Sequence, residues 1–125
     1  AEHLEDHDIH AEWYQLDQAN AEILNVCIEN GGRIIPAGTT SVRTLETVAK
    51  GRQVYPGTGD TRLFILPGYH FQVVDAMITN FHLPRSTLLA LVGAFAGLET
   101  IRTAYRYAIE KRYRFYSYGD AMLIL

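Results

Sequence analysis

Apolar positions recur with two different periods along this chain, and the switches between them mark its elements. Ile9 to Leu16 reads as a short strand. Asp17 then stands as an N-cap before a helix over Gln18 to Asn30, where Ala19, Ile23, Val26, Cys27 and Asn30 follow helical spacing. Gly31-Gly32 stops that helix. Arg33 to Ala37 is a short strand candidate, against which Pro36 counts unless it lies at a strand end. Gly38-Thr39-Thr40-Ser41 turns into a second helix, Val42 to Lys50, closed by Gly51. Arg52 to Asp60, with Pro56, Gly57 and Gly59, predicts an exposed loop. Leu63 to Leu66 is a strand stopped by Pro67-Gly68, and Phe71 to Ile78 is another. Pro84 opens a helix running to Ala96, apolar on most sides and therefore buried. Gly97 separates it from a helix over Leu98 to Arg112, with Leu98, Ile101, Tyr105, Ala108 and Ile109 on one face. Ala121 to Leu125 is a final strand. Strands alternating with helices predict an α/β fold with a mostly parallel sheet under helical cover. In such a fold ligands bind at the C-terminal ends of the strands.

Composition narrows the class. The chain has 125 residues, 48% of them hydrophobic, which suits one domain with a core of its own. That apolar share excludes a disordered polymer. A single cysteine, Cys27, excludes a disulfide scaffold and fits a reducing compartment. The longest apolar run, Leu88 to Leu98, is too short to span a bilayer. The N-terminus opens acidic, unlike a signal peptide, and lacks an initiator Met, so a longer parent protein is expected. Charge is split. Residues 1–32 carry eight acids and no Lys or Arg, whereas all eleven bases, nine of them Arg, follow with only six acids. Such a split admits an anionic partner on the C-terminal portion, or a solvated surface laced with helix ion pairs.

Four stretches carry candidate chemistry. His7-x-x-His10-x-Glu12 sets two imidazoles and a carboxylate close together, for metal binding or for acid–base work. Gly38-Thr39-Thr40-Ser41-Val42-Arg43 enters a helix, where unpaired N–H groups favour a phosphate or carboxylate; a plain capped helix start reads equally well. Thr79 to Thr87, with Asn80, His82, Arg85 and Ser86, is a polar and aromatic turn into a buried helix. It is either a second anion or nucleoside pocket or a loop held by its own hydrogen bonds. Tyr113 to Asp120 offers Arg114, Tyr116 and Tyr118 for phosphate contact and base stacking, or for the aromatic edge of a core.

These stretches together resemble the S-adenosylmethionine:tRNA ribosyltransferase-isomerases of queuosine biosynthesis. The matching residues are His7-Asp8-Ile9-His10-Ala11-Glu12, Gly32 to Ile35, Gly38 to Glu46, Leu63 to Tyr69, Thr79 to Leu89 and Tyr113 to Ile124. They cover nearly the whole chain in family order. Pro36-Ala37 and Gly57 to Arg62 depart from the family pattern in two loops. Family members are well over twice this long. The resemblance therefore implies that residues 1–125 are the C-terminal part of an α/β, TIM-like barrel domain. The family's inserted β-barrel domain is absent from the chain, and the isolated piece is expected to be inactive.

The resemblance implies transfer and isomerisation of the ribosyl part of S-adenosylmethionine. The acceptor is 7-aminomethyl-7-deazaguanine at the tRNA wobble position; epoxyqueuosine forms, and adenine and methionine leave. S-adenosylmethionine is a consumed donor, and the resemblance implies no metal or other cofactor. The implied setting is cytoplasmic, with tRNA as partner and no membrane. His82, His7, His10, Glu12 and Asp120 form the pool for proton transfer. His82 comes first, because a helix start keeps an imidazole neutral near pH 7. Substrate contacts fall on Gly38, Thr39, Thr40, Ser41, Arg43, Asn80, Arg85, Ser86, Arg114, Tyr116 and Tyr118. Two other classes stay open: a non-catalytic RNA-binding module, and a metal hydrolase built on His7, His10 and Glu12.

Overall fold

Two antiparallel strand pairs and four helices make up the computed structural model, which describes residues 12–81, 87–114 and 120–125. In chain order they are β1 (Glu12–Leu16), α1 (Gln18–Glu29), α2 (Thr39–Val48), β2 (Gly57–Thr61), β3 (Met77–Asn80), α3 (Thr87–Ala96), α4 (Leu98–Glu110) and β4 (Ala121–Ile124).

Helix α1 starts where expected. The Asp17 side chain accepts the Asn20 N–H at 2.8 Å, satisfying one of the four orphan donors of a helix start. Its buried face is not the expected one. Ile23 and Val26 are 65% and 53% exposed. Ala21 is buried, and Leu24 and Ile28 pack against the core. The reason is Asn25, on the same stripe: its amide accepts the Val54 N–H at 2.9 Å and donates to the Val54 carbonyl at 2.8 Å.

β1 pairs with β2 in the register Glu12↔Thr61, Tyr14↔Gly59 and Leu16↔Gly57. The glycine-rich segment expected as a loop is thus a strand from Gly57 onward. Its intrinsic β preference is weak, and pairing with β1 overrides it.

The expected mostly parallel sheet is corrected. Among the described residues the named strands pair antiparallel, β1 with β2 and β3 with β4. One parallel stretch remains, in which residues 34–38 run beside β3. Asp75 N–H donates to the Ile34 carbonyl at 2.9 Å, Ile78 N–H to Pro36 at 3.0 Å, and Gly38 N–H to Ile78 at 2.7 Å. Two helices, not one, separate β3 from β4. A single crossover helix makes neighbouring strands parallel; a helical hairpin brings the chain back at the end where β3 leaves. A Cβ at Gly93 would lie 2.7 Å from Leu98 Cδ2, so a larger residue there would make the exposed Leu98 side chain shift.

Two further expected strands, Leu63–Leu66 and most of Phe71–Ile78, are irregular. The second is explained by Glu46. Its buried carboxylate accepts the N–H groups of Gln72 (2.8 Å), Val73 (2.9 Å) and Val74 (3.2 Å), and the Tyr69 hydroxyl at 3.0 Å. Backbone donors spent on a carboxylate cannot build a ladder. Burial, then the charge and hydrogen bond of Glu46, push the Tyr69 phenol up to about 12, so it remains a donor. Around this hub packs the main core of Val42, Ile65, Val74, Met77, Phe81, Leu91, Val92, Ile101 and Tyr105.

Asp75 closes the segment. It accepts the Ile34 N–H at 2.8 Å and faces Arg52 through two contacts of 3.1 and 3.2 Å. Burial raises its carboxyl pKa, but the Ile34 N–H and Arg52 outweigh burial and leave it below the usual value.

Glu46→Ala strands several buried donors at once. It is expected to cost at least about 3 kcal/mol, read as a lowered urea midpoint. Asp75 is depressed in the folded state, so its contribution is present above the unfolded carboxyl pKa near 4 and is lost as pH falls through the lower folded value. Asp75→Asn is therefore expected to flatten the acid limb of the stability–pH curve, measured by urea melts from about pH 7 to 2.

Candidate functional site

The parallel stretch sets the geometry of the site. Because residues 34–38 run alongside β3, their C-terminal ends face the same edge. There the chain leaves residue 37 through Gly38, whose φ of 96° is strained for residues with a Cβ, and enters α2. Asn80 closes β3 at this edge and is opposite Ala121 in the register with β4. Gly38, Asn80 and Asp120 are thereby brought to one end of the sheet, the C-terminal end of β3 and of residues 34–38 and the N-terminal end of β4.

The helix start splits its candidate residues between two faces. Thr39 is buried, together with Val42, Arg43 and Glu46. Thr40 and Ser41 instead line a groove of about 470 Å³ between α1 and α2, with Asp17, Asn20 and Thr44. Gly38 gives α2 no side-chain cap, so the helix start offers backbone donors to a ligand in the way an anion site needs.

Arg43 points away from that groove. Its Nε donates to the Leu63 carbonyl at 3.1 Å, and its Nη1 pairs with Glu12 Oε1. Burial lowers its pKa, yet a guanidinium stays charged. Nη2 is buried and finds no acceptor among the described residues. Glu12 thus spends one oxygen of the His7-x-x-His10-x-Glu12 motif on a cation within the fold.

Asp120 and Arg114 bracket residues 115–119. The Asp120 carboxylate accepts the Arg114 backbone N–H and, at 3.3 Å, its Nε. These contacts hold its carboxyl below the usual range. At neutral pH Asp120 is therefore an anion. Tyr113 lies edge-on to Phe81 and Tyr107, both at 5.9 Å, the aromatic edge foreseen as one reading of this stretch.

His7, His10, His82, Arg85, Ser86, Tyr116 and Tyr118 lie outside the described residues. Among the described residues no group of three His, Cys, Asp or Glu side chains is placed to hold a metal, and no helix is long and apolar enough to cross a membrane. Sequence reasoning missed Glu46. Its signal was present, since Thr39, Val42, Arg43 and Glu46 follow the i, i+3, i+4, i+7 spacing of one helix face.

Comparisons with known proteins agree over almost the whole chain. The profile of the family described as queuosine biosynthesis protein matches residues 1–124. The S-adenosylmethionine:tRNA ribosyltransferase-isomerase of Cupriavidus pinatubonensis is 55% identical over 124 residues, covering 98% of this chain and 36% of that protein. The namesake from Natranaerobius thermophilus is 58% identical over 122 residues, covering 97% and 36%. The crystal structure of an S-adenosylmethionine tRNA ribosyltransferase from Thermotoga maritima superposes with a TM-score of 0.84 at 53% identity, covering 90% of this chain and 40% of that one. The chain thus spans about a third of the length of the curated relatives it matches.

Arg43→Ala removes the Leu63 and Glu12 contacts together with buried stem packing. The expected loss is about 1–3 kcal/mol, measured by urea unfolding. An unchanged midpoint would show that the guanidinium contributes nothing to the fold.

Proposed function

The chain belongs to the queuosine biosynthesis protein family, and from that premise we propose that it is the C-terminal third of a tRNA-modifying ribosyltransferase-isomerase. The observation that carries the reading is continuous identity of 55% to relatives of that name across 98% of the chain. In this proposal the described elements belong to a larger α/β, TIM-like barrel, and the outer edge of β4 is where further strands join. The full enzyme works in the cytoplasm and takes S-adenosylmethionine as a consumed donor, with no further cofactor.

The acceptor is 7-aminomethyl-7-deazaguanine at the tRNA wobble position. Its amine receives the ribosyl group, adenine and methionine leave, and epoxyqueuosine forms. A sulfonium acidifies the methylene beside it, so one positioned base suffices to begin the sequence. His82 is the first choice for that base, with His7 and His10 behind it. The groove beside α2 holds an anion of the substrates, the methionine carboxylate or a tRNA phosphate, on Thr40, Ser41 and the helix start. Asn80, at the strand ends, contacts the nucleoside. Arg114, Tyr116 and Tyr118 face the tRNA.

The test is adenine release and the mass of the tRNA product, using the full-length protein that contains this chain and tRNA carrying the 7-aminomethyl base. Stoichiometric adenine and epoxyqueuosine are expected. Adenine release absent from the full-length protein would overturn the reading. Residues 1–125 alone are expected to give no product.

A further inference from the structure

We infer that Arg43 is a positioning residue for ribosyl transfer: it holds Glu12 end-on, so that the free oxygen of this carboxylate is presented to the hydroxyls of the donor's ribosyl group. The inference rests on the functional reading above and names the part of the substrate that Glu12 meets.

The pair is asymmetric in burial. The Arg43 side chain is 8% exposed, whereas that of Glu12 is 43% exposed. One end is sealed in the protein and the other opens to solvent. The grip is also incomplete in a specific way. A guanidinium that serves only as a bridge pairs fork to fork with both carboxylate oxygens. Here Nη1 takes Oε1, Nε is turned to the Leu63 carbonyl, and Nη2 stays buried without an acceptor. Oε2 of Glu12 has no hydrogen-bond partner among the described residues. Among the described residues a buried donor is left unused while one carboxylate oxygen is left available.

The arrangement is braced. Glu12 is opposite Thr61 in the β1–β2 register. The Thr61 hydroxyl meets that of Thr47 at 2.7 Å, and the Thr47 hydroxyl donates to the Arg43 carbonyl at 2.6 Å. Arg43 returns to Glu12 and closes the circuit. Strand pairing and helix thus fix the two backbones, and the ion pair holds the carboxylate itself.

The chemistry of an ionised carboxylate selects its ligand. It only accepts hydrogen bonds, so the group that seats on Oε2 must donate. S-adenosylmethionine can donate from its α-ammonium, from its adenine amine and from the vicinal ribosyl hydroxyls. Of these only the hydroxyls stay on the group being transferred, so a carboxylate that orients that group seats on them. The geometry suits an acceptor: Arg43 Nη1 takes one oxygen and leaves the other for the ligand. In this reading Glu12 orients the ribosyl group.

The experiment uses the full-length protein and compares wild type, Glu12→Gln, Arg43→Lys and the double variant with S-adenosylmethionine and with donor analogues lacking the 2′- or 3′-hydroxyl. Adenine release supplies kcat and KM, and thermal melts report folding. Glu12→Gln is expected to lower kcat/KM roughly tenfold or more, the effect of losing a hydrogen bond to a charged group. With one of the two deoxy donors that penalty is expected to vanish. Arg43→Lys keeps the charge without the fork, and its defect is expected to merge with that of Glu12→Gln in the double variant instead of adding to it. A Glu12→Gln penalty that persists with both deoxy donors, or additive defects, overturns the inference while the functional reading stands. Variants that melt early yet keep wild-type kcat and KM make the pair purely structural and overturn it as well. Adenine release absent from wild type removes both the functional reading and the inference.

Discussion

Four hydrogen bonds converge on the Glu46 carboxylate, and the path of the chain from residue 69 to 76 depends on them. A buried carboxylate is costly unless its lone pairs are filled. Glu46 fills them with three successive backbone N–H groups and one phenol. The same contacts stop residues 71–74 from joining a sheet, so β3 begins only at Met77. The strand is short because a helix side chain has taken the donors that would have extended it. What β3 then pairs with follows from that start: residues 34–38 on one side and β4 on the other.

Legibility of the fold in the sequence follows the same physics. Helix positions were legible because caps and glycines act locally: Asp17 caps α1, Gly97 precedes α4, and both helices begin where these residues place them. The buried faces were less so. Apolar spacing pointed to Ile23 and Val26, while the real stripe of α1 is Ala21, Leu24, Asn25 and Ile28. In α2 the stripe is Thr39, Val42, Arg43 and Glu46. A periodicity that counts apolar residues skips a stripe whose members are satisfied by hydrogen bonds instead. The Gly57–Thr61 strand was hidden for the opposite reason, since its residues have little preference of their own and take their form from β1.

Charge shows how far composition carries a functional argument. Nine arginines in an otherwise acidic chain suggested an anionic partner. Arg43, Arg52, Arg102 and Arg114 each face a carboxylate of the chain itself. Arg43 and Arg52 also donate to backbone carbonyls, of Leu63 and of Gln72 and Val73, so part of the basic excess is structural. Arg33, Arg62, Arg106 and Arg112 are exposed, without a carboxylate at ion-pair distance among the described residues. The composition thus overstated the cation free for a ligand, and the remainder is a surface field that screening by salt weakens.

The candidate site and the most expensive part of the fold are attached to one helix. Burying Arg43 and Glu46 on a single face of α2 is favourable only when the chain from residue 61 to 75 wraps that face and supplies the partners. Helix and wrapping segment therefore order together, as contacts within one hydrogen-bonded network do. Glu12 is held to this unit through Arg43, Gly38 begins it, and Asn80 ends the strand that the wrapping segment leads into. Glu12 and Gly38 are tied to that helix directly, and Asn80 is linked to it through the strand that the wrapping segment enters. In the proposed reading, a substrate seated on Glu12, Gly38 and Asn80 meets groups that the fold already holds, and little of its binding energy goes into ordering them.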